Sequence, residues 1–232
     1  MIIHGLQKMT LLDYPGKVGC IVFTAGCNFR CPFCHNAPLV TDCRADARLD
    51  EDEVLAYLEK RRGILDGVVI SGGEPTLQAD LPDFIRRVRA LGYAVKLDTN
   101  GTHPAMLRAL LAEGLLDYVA MDVKNAPEKY AATVGVEPFD LAPIQESMRI
   151  LSESGVDYEY RTTVTAELHT PDDVAAIAEW CAGAPHYYIQ PFVDSGDLVG
   201  KGAQSAPERA VLDEMLTKSQ HFIPKTAIRG TN

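Results

Sequence analysis

Runs of strand length alternate with runs of helical spacing six times along these 232 residues, and that alternation limits the fold more than any other feature. The strand candidates are residues 18–23, 67–71, 93–98, 117–122, 157–164 and 187–190, rich in the Val, Ile and Tyr of strands buried on both faces. Between and after them, residues 52–62, 81–91, 104–113, 141–153, 171–181 and 207–218 carry apolar side chains at helical intervals. Asp50, Asp80 and Thr170 mark helix starts, the last followed by Pro171 at a first helical position; Gly63, Gly92, Gly114, Gly155 and Gly183 mark stops. Strand followed by helix, repeated, implies a parallel sheet with right-handed crossovers. A closed eight-stranded barrel takes about 250 residues. Six units, a leader over 1–17 and a long loop over 24–36 therefore point to an α/β fold: an incomplete (β/α)6 TIM-like barrel, one domain over 1–232. A flat doubly wound sheet is the alternative. It would put a glycine-rich phosphate loop after the first strand, where cysteines stand instead.

Those cysteines are Cys27, Cys31 and Cys34, in the run Gly26-Cys-Asn-Phe-Arg-Cys-Pro-Phe-Cys-His35-Asn36. A structural zinc site takes four protein ligands, and a cubane iron–sulfur cluster is normally held by four cysteines. Three thiolates leave one iron open to another ligand. A zinc knuckle completed by His35 is the competing reading, strained because His35 adjoins Cys34 and must reach around the same metal. Clustered cysteines without a secretory signal argue against a disulfide.

In α/β barrels the chemistry sits at the carboxyl ends of the strands. The first strand here runs into the cysteine loop. The second ends in Ser71-Gly72-Gly73-Glu74-Pro75, whose paired glycines let the backbone approach a ligand. The third ends in Asp98-Thr99-Asn100-Gly101 and the fourth in Met121-Asp122-Val123-Lys124, which read either as turn chemistry and a solvated ion pair or as a pocket carrying both signs of charge. Arg161 stands among apolar strand neighbours and needs an acidic partner or an anion.

The Cys-x3-Cys-x2-Cys spacing, with the aromatic Phe33 before its last cysteine, resembles the radical S-adenosylmethionine (SAM) superfamily. The resemblance implies a [4Fe–4S] cluster on Cys27, Cys31 and Cys34, with SAM chelating the open iron and Phe33 beside its adenine. It implies that Gly72, Gly73 and Glu74 engage the methionyl amino group. The Asp-Thr-Asn-Gly and Asp-x-Lys segments, with the leader Thr10-Leu-Leu-Asp-Tyr-Pro-Gly16, are similar to the activating enzymes of glycyl radical enzymes. They come nearest to the long-form activators of anaerobic ribonucleoside-triphosphate reductase, relatives of the pyruvate formate-lyase activators. From this resemblance Lys124 is expected to meet the SAM carboxylate and Asp98 the ribose side. Asp98, Thr99 and Asp122, with the Ala120 carbonyl, are expected to hold a monovalent cation. No acid or base residue is implied beyond cluster and SAM. The implied reaction is reductive SAM cleavage and hydrogen abstraction from a backbone glycine of a partner protein, anaerobically, with flavodoxin or ferredoxin as electron donor. Val193 stands where the pyruvate formate-lyase activators have a histidine, which argues against that particular partner. A radical SAM enzyme acting on a small molecule, such as a deazapurine synthase, keeps the same residues, and a non-enzymatic metal-binding module needs the cysteines only.

The remaining features bound the reading. A formal net charge of −10 argues against a nucleic-acid substrate, since phosphate contacts require a basic surface. No apolar run reaches the roughly 18 residues of a membrane span, and Met1-Ile-Ile-His4 is not a signal peptide, so a cytoplasmic location is expected. Cys20 and Cys181 are expected to be buried structural thiols and Cys43 a loop cysteine. Residues 125–140, long for a strand-to-helix connection, are the candidate lip for a peptide substrate.

Overall fold

One eight-stranded sheet runs through the chain in sequence order: β1 (Ile3–Thr10), β2 (Gly19–Thr24), β3 (Gly67–Gly72), β4 (Ala94–Thr99), β5 (Tyr118–Asp122), β6 (Asp157–Val164), β7 (Tyr187–Pro191) and β8 (Thr226–Ile228). The computed structural model describes residues 1–34, 36–41, 48–194, 196–200 and 202–230. From β2 to β8 every neighbouring pair is parallel. β1 lies antiparallel on β2, and the sheet order ends at β1 and β8 without joining them, so the barrel stays open. The helices are α1 (Ala37–Thr41), α2 (Glu51–Lys60), α3 (Leu81–Ala90), α4 (Pro104–Ala112), α5 (Tyr130–Val134), α6 (Ala142–Ser154), α7 (Pro171–Trp180) and α8 (Arg209–Gln220).

The six expected strand–helix units are all present. Two strands add to them: β1, expected only as a leader, and the three-residue β8. Two of the three expected helix caps are made by side chains. Asp50 accepts from the Asp52 N–H at 2.7 Å, and Thr170 and Asp173 form a reciprocal capping box. Asp80 makes no such bond; its backbone is not extended as capping requires, and its carboxylate instead takes the amino terminus of Met1.

Strand alternation sorts the side chains onto two faces. Val22, Ile70, Leu97 and Val119 point outward and are wholly buried under the helices, each worth about 1.5–3 kcal/mol of apolar burial. Their neighbours in sequence point inward. Near the amino ends of the strands the interior is apolar: Tyr14, Ile21 and Val69, with Phe23, Ala94 and Tyr118 against them. The floor also carries a buried ion pair. Glu159 of β6, fully buried, accepts from both terminal nitrogens of Arg229 at 2.8 and 3.0 Å and from the Tyr118 hydroxyl at 2.8 Å. The Arg229 guanidinium lies 3.5 Å from the centre of the Tyr188 ring. Toward the carboxyl ends the interior turns polar, and there it opens into a cavity. Among the described residues no helix is long and apolar enough to cross a membrane.

Candidate active site

The cysteine loop follows β2 and is held from several sides. The Gly26 N–H donates to the Leu39 carbonyl at 2.7 Å, and the Gly26 carbonyl accepts from the Glu74 N–H at 2.8 Å. Glycine is required at position 73 because a Cβ there would stand 2.0 Å from the Gly26 oxygen. The Asn28 amide donates to Thr102 Oγ1 and accepts from the Asn100 amide, both at 2.9 Å, tying the loop to the end of β4. From the other side the Arg30 N–H donates to the Val134 carbonyl at 2.8 Å, and Phe29 packs edge-on against Tyr130 and Phe139. Residues 125–140 thus lie against the cysteine loop: Asn125 and Tyr130 are wholly buried, and Trp180 closes on Tyr130 edge-on. That stretch buttresses the cysteine loop through its buried residues, while Glu128, Glu137 and Asp140 are exposed. Above the loop, the Val199 and Gly200 N–H groups donate to the carbonyls of Cys34 and Pro32 at 3.2 and 3.0 Å.

A cavity of about 350 Å³ opens at the carboxyl ends of the strands. Cys27, Cys31, Cys34 and Phe33 line it together with Gly72, Gly73, Glu74, Asp98, Thr99, Asp122, Lys124 and Arg161. Every site residue expected from sequence therefore meets at one place. Burial pushes the Cys27 thiol above its usual range and the Cys31 thiol up to about 12. Three thiolates in so dry a place need a strongly positive partner, and bound metal inverts the local preference in that way. Among the described residues no three His, Cys, Asp or Glu side chains close on a single ion. The cavity brings together three cysteines, one short of the four protein ligands of a structural zinc site, a donor set that fits a cluster with one iron left open. His35, the proposed zinc ligand, and Cys43 lie outside the described residues.

The charged side chains form one network across three strands. Asp98 accepts from Lys96 Nζ on one oxygen and from Arg161 at 3.3 Å on the other. Asp122 accepts from Arg161 Nε at 2.8 Å and from Lys124 Nζ at 3.0 Å. Burial raises both carboxyl pKa values, but the adjacent cations outweigh it and hold both below the usual carboxylate range. The same pairing outweighs burial for Lys124 and Arg161, raising both. Arg161 is therefore an ion-pair partner that also faces the cavity. Thr99 Oγ1 donates to Glu74 at 2.7 Å and accepts from the Gly101 N–H at 3.1 Å. With all four oxygens of Asp98 and Asp122 held by cationic donors, the monovalent cation implied by the resemblance does not fit this arrangement.

Glu74 is wholly buried. Its carboxylate accepts from the Thr76 N–H at 3.0 Å, the Thr76 hydroxyl, Thr99 Oγ1 and the Asn100 N–H at 2.6 Å. Burial pushes its pKa up and these four donors pull it back in part. The side chain so engaged clamps the ends of β3 and β4 together, and Glu74 lines the cavity beside the backbone of residues 72 and 73. Phe33, nearly buried, packs edge-on against His169, whose rings' centres are 6.2 Å apart. His169 Nδ1 accepts from the Thr165 N–H at 3.2 Å, which leaves Nε2–H to donate to the Lys124 carbonyl at 2.9 Å. Burial keeps that imidazole neutral. Neither His169 nor Lys96 was singled out from sequence. Lys96 could have been, since strand alternation puts it on the face of Asp98. Cys20 and Cys181 are buried thiols outside the cavity, as expected, and Val193 is exposed.

These features define an open α/β barrel with a three-cysteine site at its mouth. Residues 21–181 match the Radical SAM superfamily, and the chain belongs to it. A protein of Methanocaldococcus jannaschii named as a glycyl-radical enzyme activating enzyme is 32% identical over 237 residues, spanning 100% of this chain and 97% of that protein. The pyruvate formate-lyase-activating enzyme of Listeria monocytogenes is 34% identical over 139 residues, 55% of each chain; the chain thus matches only about half the length of that relative. The 7-carboxy-7-deazaguanine synthase of Thermococcus kodakarensis is 28% identical over 76% of this chain and 75% of its own. Among solved structures, Streptococcus suis SuiB bound to S-adenosylmethionine superposes with a TM-score of 0.68 at 15% identity, covering 91% of this chain and 52% of that one. Native anSMEcpe with bound AdoMet gives 0.65 at 16%, covering 89% and 61%. Those two likenesses establish the partial barrel. Family membership makes the chain a radical SAM enzyme and implies a [4Fe–4S] cluster and SAM.

Proposed function

We propose that this enzyme generates the glycyl radical of a partner enzyme, with anaerobic ribonucleoside-triphosphate reductase as the first candidate. The observation that carries the reading is the meeting of Cys27, Cys31 and Cys34 with Asp98, Asp122, Lys124 and Arg161 in one cavity. Three thiols alone suit any cluster; a carboxylate-and-ammonium lining beside them suits a ligand bearing both signs of charge. The full-length similarity to the M. jannaschii protein supports the activating role. A bound cluster and SAM would supply radical chemistry at this cavity, directed at the substrate glycine.

The chain's own work is placement and exclusion of water and oxygen. Cys27, Cys31 and Cys34 would hold three irons. Lys124 would receive the SAM carboxylate, Asp98 would face the ribose side, the backbone of residues 72–74 would meet the amino group, and Phe33 would lie beside the adenine. Val199 and Gly200 brace the cysteine loop through their bonds to Cys34 and Pro32. The unjoined edges at β1 and β8 leave a side entrance for an extended glycine-bearing loop. A flavodoxin or ferredoxin supplies the electron.

The test is electron paramagnetic resonance of the anaerobically reconstituted enzyme with reductant, SAM and purified glycyl radical enzymes in turn. A glycyl doublet with ribonucleotide reductase establishes the partner, and a doublet only with a lyase reassigns it. The similarity to the deazaguanine synthase favours the second reading, small-molecule chemistry; 5′-deoxyadenosine formed without any protein radical would select it.

A further inference from the structure

Two carboxylates facing a ligand pocket normally need a counter-charge, and the resemblance assigns that task to a small cation at Asp98, Thr99 and Asp122. In this chain the counter-charge is already present. Lys96 stands two residues before Asp98 on β4, so both side chains project into the barrel. Its side chain is only 1% exposed, and its ammonium bonds one Asp98 oxygen with the Tyr118 ring 5.9 Å away. Arg161 bridges the other Asp98 oxygen and one of Asp122, and Lys124 holds the last. Thr99, the remaining ligand of that set, has turned its hydroxyl toward Glu74. Within this network three cations meet two carboxylates, so neither aspartate is left with an unmatched charge for an added ion.

We propose that the Lys96 ammonium is a built-in substitute for the monovalent cation, so that SAM binding by this enzyme is independent of potassium and sodium. A tethered ammonium occupies its place at a very high effective concentration. A free ion must displace it from a carboxylate where the lysine has no water to retreat into. Lys96 is thus a positioning residue, acting on the ligand through Asp98. The proposal rests on the reading of the cavity as the SAM pocket.

The experiment measures SAM dissociation constants for the anaerobically reconstituted protein by equilibrium dialysis. Buffers contain potassium, sodium or tetramethylammonium chloride at equal ionic strength, the last ion being too large to enter. Wild type should bind within about twofold in all three. Lys96→Met, which keeps length and loses charge, should bind about tenfold more weakly in tetramethylammonium and recover in potassium or sodium, the loss being that of one charge-assisted hydrogen bond. Should Lys96→Met not fold, Lys96→Gln takes its place, and the wild-type comparison decides independently. A tenfold loss for wild type in tetramethylammonium overturns the proposal. So does a variant whose weakened binding no small cation restores, because a structural role alone would do that. Absence of SAM binding by wild type in every buffer overturns the pocket reading beneath it.

Discussion

Alanine at Gly73 puts a single methyl group where the coordinates leave no space, and its cost can be worked out. The added carbon would lie 2.0 Å from the Gly26 oxygen, 2.6 Å from its carbonyl carbon and 3.2 Å from its nitrogen. All three are backbone, so no rotamer change relieves the clash. The tightest contact that real Cβ atoms reach is 3.0 Å, and the Gly26 carbonyl must retreat by about 1 Å. That movement breaks the bond from the Glu74 N–H to the Gly26 carbonyl, now 2.8 Å. Overpacking costs about 1–3 kcal/mol and the lost bond about 0.5–1.5 kcal/mol, so Gly73→Ala should lose roughly 2–4 kcal/mol of unfolding free energy. Cys27 adjoins Gly26, and a shift of that size at one anchor should also lower iron per protein after reconstitution. Urea unfolding of the apo-protein and iron analysis measure the two effects. Gly202→Ala, with nothing within 4 Å of its added carbon, is the control and should change stability by less than about 0.5 kcal/mol. A Gly73→Ala protein of wild-type stability and iron content would refute the steric account of the Gly26–Gly73 contact.

Cys31→Ala should abolish iron loading and SAM cleavage while circular dichroism stays native, whereas Cys181→Ala, far from the cavity, should load iron normally. Asp98 and Asp122 have depressed pKa values in the folded state, so their stabilisation is present above the ordinary aspartate range and is lost as pH falls through the lower folded values. Acid titration of stability should accordingly steepen below about pH 4, and Asp122→Asn should flatten that slope; an unchanged slope would contradict the ion-pair network. Lys124→Met should weaken SAM binding about tenfold or more, the effect of one charge-assisted bond, measured by equilibrium dialysis.

The parts of this molecule legible in sequence are those whose signal is local. Thr170-Pro171 and Asp50 announce helices because a cap acts over three residues, and the cysteine spacing announces the cluster loop for the same reason. Asp80 looks identical on paper to Asp50, but its backbone takes another conformation and its carboxylate serves the amino terminus. β1 escaped notice because a strand at an open edge carries polar residues such as Gln7 and Lys8, and β8 because three residues hold no period. The network around Asp98 was half visible. Asp98, Asp122 and Lys124 stand at strand ends where ligands bind, and Lys96 shares the inward face of β4 with Asp98, while the partners of Arg161 depend on which strands lie side by side. Glu74 carries a second task its position beside two glycines does not announce, since four internal donors tie its carboxylate to the ends of β3 and β4.

The Glu159–Arg229 pair bears on where this fold can be cut. The superfamily model matches residues 21–181, which makes that stretch an inviting minimal fragment, although similarity to the M. jannaschii protein spans the whole chain. Such a fragment would deprive Glu159 of its guanidinium, which sits 70 positions downstream, and would uncover β6 by removing β7 and β8. The matched stretch alone therefore lacks the contact that closes the floor of this barrel.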